Sequence, residues 1–224
     1  VKMYKDLKGL KFPDNAVIKF FFKEHLHEKC GKVLEYACSN GNNLSLFASY
    51  GWECLGVDLN ELNIQNAEFN FKEILKAQKF SFFEENILDF AKAHKGVQAD
   101  VFLVPNVVNY LRREDFLALL KSAKEFKAYK ENALFFLRTR GIKDYRYGLG
   151  KKIAHNSFLL DCDESTGELN CINTLYQEYE LVGYLQEFLG LYDFKVLSYE
   201  STNVMGADER LVNDADIVIY GRIR

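Results

Sequence analysis

The sequence predicts an α/β fold, a mostly parallel sheet sandwiched between helix layers and closed by an antiparallel terminal hairpin. Three observations predict it. Short apolar runs alternate with amphipathic stretches along most of the chain, the pattern of repeated strand–helix units. Two central runs, "ADVFLVPN" and "NALFFLRTR", are apolar on both faces, as strands covered by helices on both sides are. The last two runs, "FKVLSYEST" and "DADIVIYGRIR", are separated by a turn rather than a helix, which suits an antiparallel pair.

In chain order, "KVLEY" (32–36) reads as the first strand, and "NNLSLFASY" as a short helix stopped by Gly51. "WECLGVD" (52–58) is the second strand. The long helix after it carries Leu62, Ile64, Ala67, Phe71, Ile74 and Leu75 as its apolar positions, with Asn60 as N-cap. "FSFFEEN" (80–86) is the third strand and 87–94 a short helix. "ADVFLVPN" (99–106) is the fourth strand. An amphipathic helix over 113–127 turns Phe116, Leu117, Leu119, Leu120 and Ala123 to the core, and 132–140 is the fifth strand. The alternation breaks at 141–175, rich in Gly, Asp, Lys and Tyr. A connection of that length marks a lid or binding loop; the plain alternative is a solvated β-hairpin turning at "DESTGEL". A helix over 177–190 and strands over 194–202 and 214–224 complete the chain. The organisation expected is one domain over 1–224, with a helical cap at 1–31 and a substrate-side insertion at 141–175.

The 224 residues suffice for one domain with a real core. A net charge of −3 argues against broad binding to nucleic acid, which needs clustered cations. The apolar runs are too short to span a bilayer, and "VKMYKDLKGLKF" lacks a signal-peptide apolar region. The expectation is a cytoplasmic protein with a small-molecule acceptor and neither nucleic acid nor membrane as partner; a homodimer is compatible with the sequence. Cys30, Cys38, Cys54, Cys162 and Cys171 are odd in number and form no CxxC, so they read as thiols rather than a disulfide framework. His25, His27, His94 and His155 make no ligand spacing with them, and no metal is expected.

The stretch that carries chemistry is "VLEYACSNGNN" (33–43). An acid, Glu35, nears the end of a strand, a tight loop follows, and a helix start brings backbone N–H groups beside a ligand. A second acid, Asp58, ends the next strand about 20 residues on, where a carboxylate accepts from two ribose hydroxyls. That much suits NAD and S-adenosylmethionine equally. Glu35 would oppose a pyrophosphate but suits a cationic sulfonium and amino group, and the GxGxxG spacing is absent.

On these residues the chain resembles the class I S-adenosylmethionine-dependent methyltransferases. "VLEYACSNGNNLSLFASYG" is similar to their first motif, "CLGVDLN" to the second, "EENILDF" (84–90) to the third and "ADVFLVPNVVNYL" to the fourth. The resemblance implies a Rossmann-like three-layer sandwich with a seven-stranded sheet, and S-adenosylmethionine as cofactor with S-adenosylhomocysteine as product. It implies cofactor contacts at Glu35, Ala37, Ser39, Asn42, Asp58 and Leu59, adenine contacts at Asn86 and Ile87, and Asn106 closing over the methionine end. Ala37 and Ser39 stand where the family carries glycine. Ala is tolerable there if φ stays negative and strained if it does not. "LKFPDNAVIKFFFKEH" resembles the opening of a subset associated with surface-polysaccharide gene clusters, which would lay Tyr4, Lys11 and Phe12 over the cofactor, with Lys11 on the methionine carboxylate; the plain alternative is an amphipathic helix with Pro at its start.

The substrate site is expected after the fifth strand. Arg138, Arg140 and Arg146 with Tyr147, and Asn109 and Tyr110 of the fourth motif, suit a phosphate, phosphoramidate or carboxylate. Tyr176 and Tyr179 would line the same cleft; a solvated loop is the alternative. Methyl transfer is a displacement on an activated carbon and needs a base only where the nucleophile must lose a proton. His155, Asp144 and Tyr145 are the candidates. No "NPPY" or "DPPY" follows the fourth strand, which turns the expectation from DNA bases to O-methylation of a saccharide or a phosphorylated small molecule. The rival readings are an NAD-dependent oxidoreductase and a non-catalytic cofactor-binding protein.

Overall fold

The computed structural model describes residues 5–161, 168–205 and 209–224. Tyr4, Cys162 and most of the "DESTGEL" turn lie outside them. The main sheet has seven strands, β1 (Lys32–Tyr36), β2 (Glu53–Asp58), β3 (Phe80–Glu84), β4 (Ala99–Pro105), β5 (Tyr129–Arg140), β9 (Tyr192–Met205) and β10 (Arg210–Arg222). Their spatial order is β3-β2-β1-β4-β5-β10-β9. The first five are parallel, while β10 runs antiparallel to both β5 and β9. The order reverses at β1, between β2 and β4, so a crevice opens at the carboxyl ends of β1 and β4, where open α/β sheets bind ligands.

Alternation along each strand feeds two cores. Leu34 and Tyr36 face one, with Phe102, Phe135 and Phe116; Val33 faces the other, with Phe20, Phe47, Trp52 and Phe136. This is why the central runs are apolar throughout. Many of the aromatics pack edge to face, as Tyr36–Phe102 (4.9 Å) and Phe21–Phe47 (4.9 Å) do.

The helices are α1 (Asn15–Lys23), α2 (Asn42–Ser49), α3 (Glu61–Phe69), α4 (Ile87–Ala93), α5 (Arg113–Glu125) and α6 (Glu178–Leu189). The long helix expected after β2 differs in one respect. It passes into a π-helical turn over Asn70–Ile74 that buries Asn70 and Phe71, while Leu62 is left exposed. Asn60 caps α3 as expected, accepting from Asn63 N. The insertion holds more than one hairpin: β6 (Lys151–Ala154), β7 (Ser157–Leu159) and β8 (Ile172–Thr174) form a separate antiparallel sheet. The terminal strands outrun their apolar cores because pairing, not burial, sustains them from Arg222↔Tyr192 to Arg210↔Met205. Cys38 and Cys54 are buried thiols, raised above the ordinary range by burial; Cys30 is exposed. Among the described residues no helix is long and apolar enough to cross a membrane.

Candidate functional site

The loop from β1 to α2 is wound left-handed at alternate residues. Ala37 has φ 55°, Ser39 48° and Gly41 75°. The condition for an unstrained Ala37 is therefore not met: two side-chain-bearing residues hold the conformation that glycine takes freely, at about 1–2 kcal/mol each. Neighbouring bonds enforce it. Cys38 N donates to Val57 O (3.0 Å), Ser39 N to Asp58 Oδ2 (2.8 Å) and Gly41 N to Cys38 O (2.9 Å).

Asparagines strap the N-terminal segment across this loop. Asn40 donates to Lys8 O (2.8 Å) and Leu10 O (2.9 Å) and accepts from Leu10 N (3.0 Å). Asn70 accepts from Lys8 N (2.8 Å), which explains the inward π turn. Asn43 accepts from Asp14 N (2.7 Å) and donates to Glu35 Oε1 (2.6 Å). The strap roofs a cavity of about 320 Å³ lined by Phe12, Asp14, Glu35, Ser39, Asn43 and Asn106 among others. Ala37 and Asn42 also line it, and Asn42 Nδ2 donates to Phe12 O (3.1 Å). Lys11 is not on the cavity; its Nζ donates to Leu7 O. Asn40, Asn43, Asn70 and Asp14 were not anticipated from sequence. Their one signal is the amide run "NGNN" and the "PD" before a helix.

Glu35 is the outlier of this cavity. It is 1% exposed, and its Oε2 is buried with no hydrogen-bond partner. Burial pushes its carboxyl up to about 8; the Asn43 bond opposes the rise, and Asp14 and Asp58 add to it. A cation placed against Oε2 would relieve all three. Asp58 accepts from Ser39 N at Oδ2 and from Asn60 N (2.9 Å) and Asn63 Nδ2 (3.3 Å) at Oδ1, so it clips the loop and keeps acceptor capacity at Oδ2 for a hydroxyl. Asn86 caps α4 by accepting from Leu88 N (3.0 Å), next to buried Ile87; Leu59 is exposed.

Asn106 joins this cavity to a second, of about 370 Å³, lined by Asn109, Tyr110, Arg138, Arg140, Asp144 and Arg146, with Tyr199, Glu200, Ser201, Asp214 and Asp216 on the β9–β10 side. The three arginines converge as expected, but each is already paired. Arg138 donates to Asp216 Oδ2 (3.0 Å from Nε) and Asp14 Oδ2 (2.6 Å). Arg140 holds Glu168 through both terminal nitrogens, and Asn173 Oδ1 (2.9 Å). Arg146 donates to both oxygens of Asp144 (3.1 and 3.2 Å). The lining carboxylates outnumber the lining guanidiniums, so this is not a bare cationic pocket.

Several expected site residues lie elsewhere. His155 is exposed on the β6–β7 turn, its Nε2 3.8 Å from Glu180, and is off the cleft because the small sheet carries it outward. Tyr147 packs on Phe158 and donates to Asn156 (3.1 Å). Tyr176 is fully buried against Phe116 and beneath Arg113, a core residue, and Tyr179 is exposed on α6. Tyr145 stacks under Arg146 (4.2 Å), and burial raises its phenol, the wrong direction for a base. Asp144 lines the cleft, yet it accepts from Arg146 and from Ala215 N (3.2 Å), which makes it a positioning group. Asp216 was missed. Burial raises its carboxyl, partly offset by Arg138, and among the described residues nothing bonds its Oδ1. At the surface, His25, His27 and Glu28 gather within 4.8 Å, a cluster the sequence spacing did not suggest.

Residues 11–188 match a family described as a methyltransferase domain. No curated protein sequence matches the chain significantly. Among solved structures, the fold is similar to a SAM-dependent methyltransferase from Methanosarcina mazei (TM-score 0.63, 19% identity, 89% of this chain and 96% of that one). It is similar to the YcgJ protein of Bacillus subtilis (0.69, 11%, 94% and 99%). It is also similar to the 1,6-didemethyltoxoflavin-N1-methyltransferase of Burkholderia thailandensis, solved with 1,6-didemethyltoxoflavin and S-adenosylhomocysteine (0.60, 13%, 93% and 77%). At these identities the likeness carries the fold. The family match spans most of the chain: the chain belongs to the methyltransferase-domain family.

Proposed function

We propose that the protein transfers a methyl group from S-adenosylmethionine to a small polar acceptor held in the 370 Å³ cleft. The observation that carries this is Glu35 Oε2, buried and unpartnered on a cavity that shares Asn106 with the acceptor cleft. A pyrophosphate would worsen that buried acid, whereas a sulfonium or ammonium satisfies it. The cofactor supplies the activated methyl carbon. Glu35 and Ser39 would hold its amino-acid end, Asp58 its ribose hydroxyls, and Asn86 with Ile87 its adenine, under Phe12 of the strap.

On the acceptor side, Asn109, Tyr110 and the arginine–carboxylate lattice offer donors and acceptors in a fixed array, suited to orienting a polyhydroxylated molecule. A hydroxyl must shed its proton, and Asp216 is the group placed to take it. We read the acceptor as a saccharide or a phosphorylated or phosphoramidate intermediate of surface-polysaccharide biosynthesis, methylated on oxygen in the cytoplasm. The support is the resemblance of residues 10–25 to enzymes of that setting, together with the polar lining. Calorimetric titration with S-adenosylmethionine and with NAD tests the cofactor: binding of NAD alone overturns the proposal. Asp216→Asn separates enzyme from binding module. Turnover falls by about 10²-fold with cofactor affinity unchanged if Asp216 is the base; unchanged turnover removes it from the mechanism.

A further inference from the structure

The carboxylates that pair the cleft arginines come from different parts of the chain. Asp14 accepts from Ala16 N as the cap of α1, Asp144 accepts from Arg146 N and Ala215 N, and Asp216 sits in the β5–β10 ladder. Glu168, which lies between β7 and β8 in the chain, pairs with Arg140 of the cleft. What it meets is a converging set of donors. Arg140 Nη1 donates to Oε2 (3.0 Å), Arg140 Nη2 and Tyr110 OH (2.7 Å) both donate to Oε1, and Arg146 Nε lies 3.3 Å from Oε2 without hydrogen-bond alignment. A fork-to-fork guanidinium, a phenol and a second guanidinium around two oxygens are the recognition chemistry of a carboxylate or phosphate.

The set does not depend on Glu168 for its shape. Arg140 is held from behind by Asn173 Oδ1 (2.9 Å) and lies over the Tyr110 ring (5.2 Å), and Arg146 is held by Asp144. Among the described residues, removing Glu168 would leave Arg140 without a paired carboxylate, beside an Arg146 whose charge Asp144 already balances. The donors also favour an anion over a neutral group: burial pushes the Glu168 carboxyl up, and the bonds from Arg140 and Tyr110 outweigh it and hold it below its ordinary range.

We propose that Arg140, Arg146 and Tyr110 form a receptor for a two-oxygen anionic group of the acceptor, a carboxylate or phosphate monoester, which Glu168 occupies until the acceptor displaces it. The receptor rests on the reading of this cleft as the acceptor site. It reconciles an arginine-rich sequence with a cleft that carries no excess of positive charge. A tethered carboxylate competes at an effective concentration of roughly millimolar or more, so it screens out weak anions and admits one that gains further contacts in the cleft.

The test is calorimetric titration of inorganic phosphate and of acetate into the wild type, Glu168→Ala, and Glu168→Ala combined with Arg140→Ala, each also titrated with S-adenosylmethionine. Glu168→Ala is expected to bind one of the two anions about tenfold tighter than the wild type or better, and Arg140→Ala to abolish the gain. The preferred anion tells a phosphate-bearing acceptor from a carboxylate-bearing one. A folded Glu168→Ala that binds neither anion more tightly overturns the proposal, as does a gain that survives Arg140→Ala. If Glu168→Ala does not fold, Glu168→Gln is judged by the same criterion. Failure of the wild type to bind S-adenosylmethionine would count against the methyltransferase reading and leave the anion result to stand by itself.

Discussion

At the carboxyl ends of β1 and β4 the chain builds its cavity with neutral amides, Asn40, Asn43 and Asn70, and leaves one carboxylate oxygen of Glu35 without a partner. Beyond β5 it builds with full charges and pairs each of Arg138, Arg140 and Arg146. The two cavities share Asn106 and are laced together by the Arg138–Asp14 pair. The difference is instructive. In the first, the unpaired atom states what the ligand must carry, because an unpartnered buried oxygen is costly until a ligand answers it. In the second, counting arginines overstates the positive field, since each guanidinium is balanced nearby and only displaceable partners leave room for an anion.

The contrast can be broken by experiment, most severely on the amide-built side. Asp58→Ala removes the proposed ribose acceptor and the clip on Ser39 N together. It is expected to weaken S-adenosylmethionine binding by about 10²-fold in calorimetry. Next comes the pH response of Glu35. With its carboxyl at about 8, it is mostly protonated in the free protein at neutral pH, and a bound cation favours the ionised form. Cofactor affinity should therefore rise with pH below 8, by at most about tenfold per unit, and Glu35→Gln should flatten that slope. The sign for stability is opposite. A carboxyl raised above its unfolded value favours folding below about 4.5, and that contribution is lost as pH climbs through about 8. Thermal unfolding of the free protein across that window should show the decline, and Glu35→Gln should lessen it.

On the charged side, Arg138→Ala strands Asp14 and Asp216 together. The expected loss is about 2 kcal/mol in denaturant unfolding, less than for a fully buried pair because 24% of the Arg138 side chain is exposed. The smallest effect is in the loop itself. Ala37→Gly and Ser39→Gly relieve left-handed backbone but loosen the unfolded chain, for a net gain of about 0.5–1 kcal/mol each. A net loss would show that the Ala37 methyl or Ser39 hydroxyl makes a contact worth more than the strain.

Much of the fold was legible because it repeats. Strand β1 was delimited to the residue, and Asn60 was read as a cap, since apolar period and capping chemistry are local. The π turn after α3 was not legible: its cause is Asn70 accepting from Lys8 N, a contact made across the sequence. The second hairpin of the insertion escaped because β6 is four residues long and exposed along its length. In the site, Glu35 and Asp58 were read from position along their strands. His155, Tyr147 and Tyr176 were assigned to the cleft by proximity in sequence to the arginines, and the β6–β8 sheet and the core took them away.

What the sequence by itself determined is the alternating sheet and the acids at the ends of its strands, because periodicity and strand ends are properties of neighbouring residues. Tertiary structure decided the charges and the conformations. Asp216 reaches Arg138 only through the antiparallel pairing of β10 with β5, Asp14 reaches it only when the strap folds over, and Glu168 reaches Arg140 only across the insertion. The strap, the Asp58 clip and the Val57 carbonyl likewise hold Ala37 and Ser39 at positive φ, against their own local preference. Ion pairing and backbone strain depend on which distant groups the fold brings within a few ångströms, and that distance is written in no single stretch of the chain.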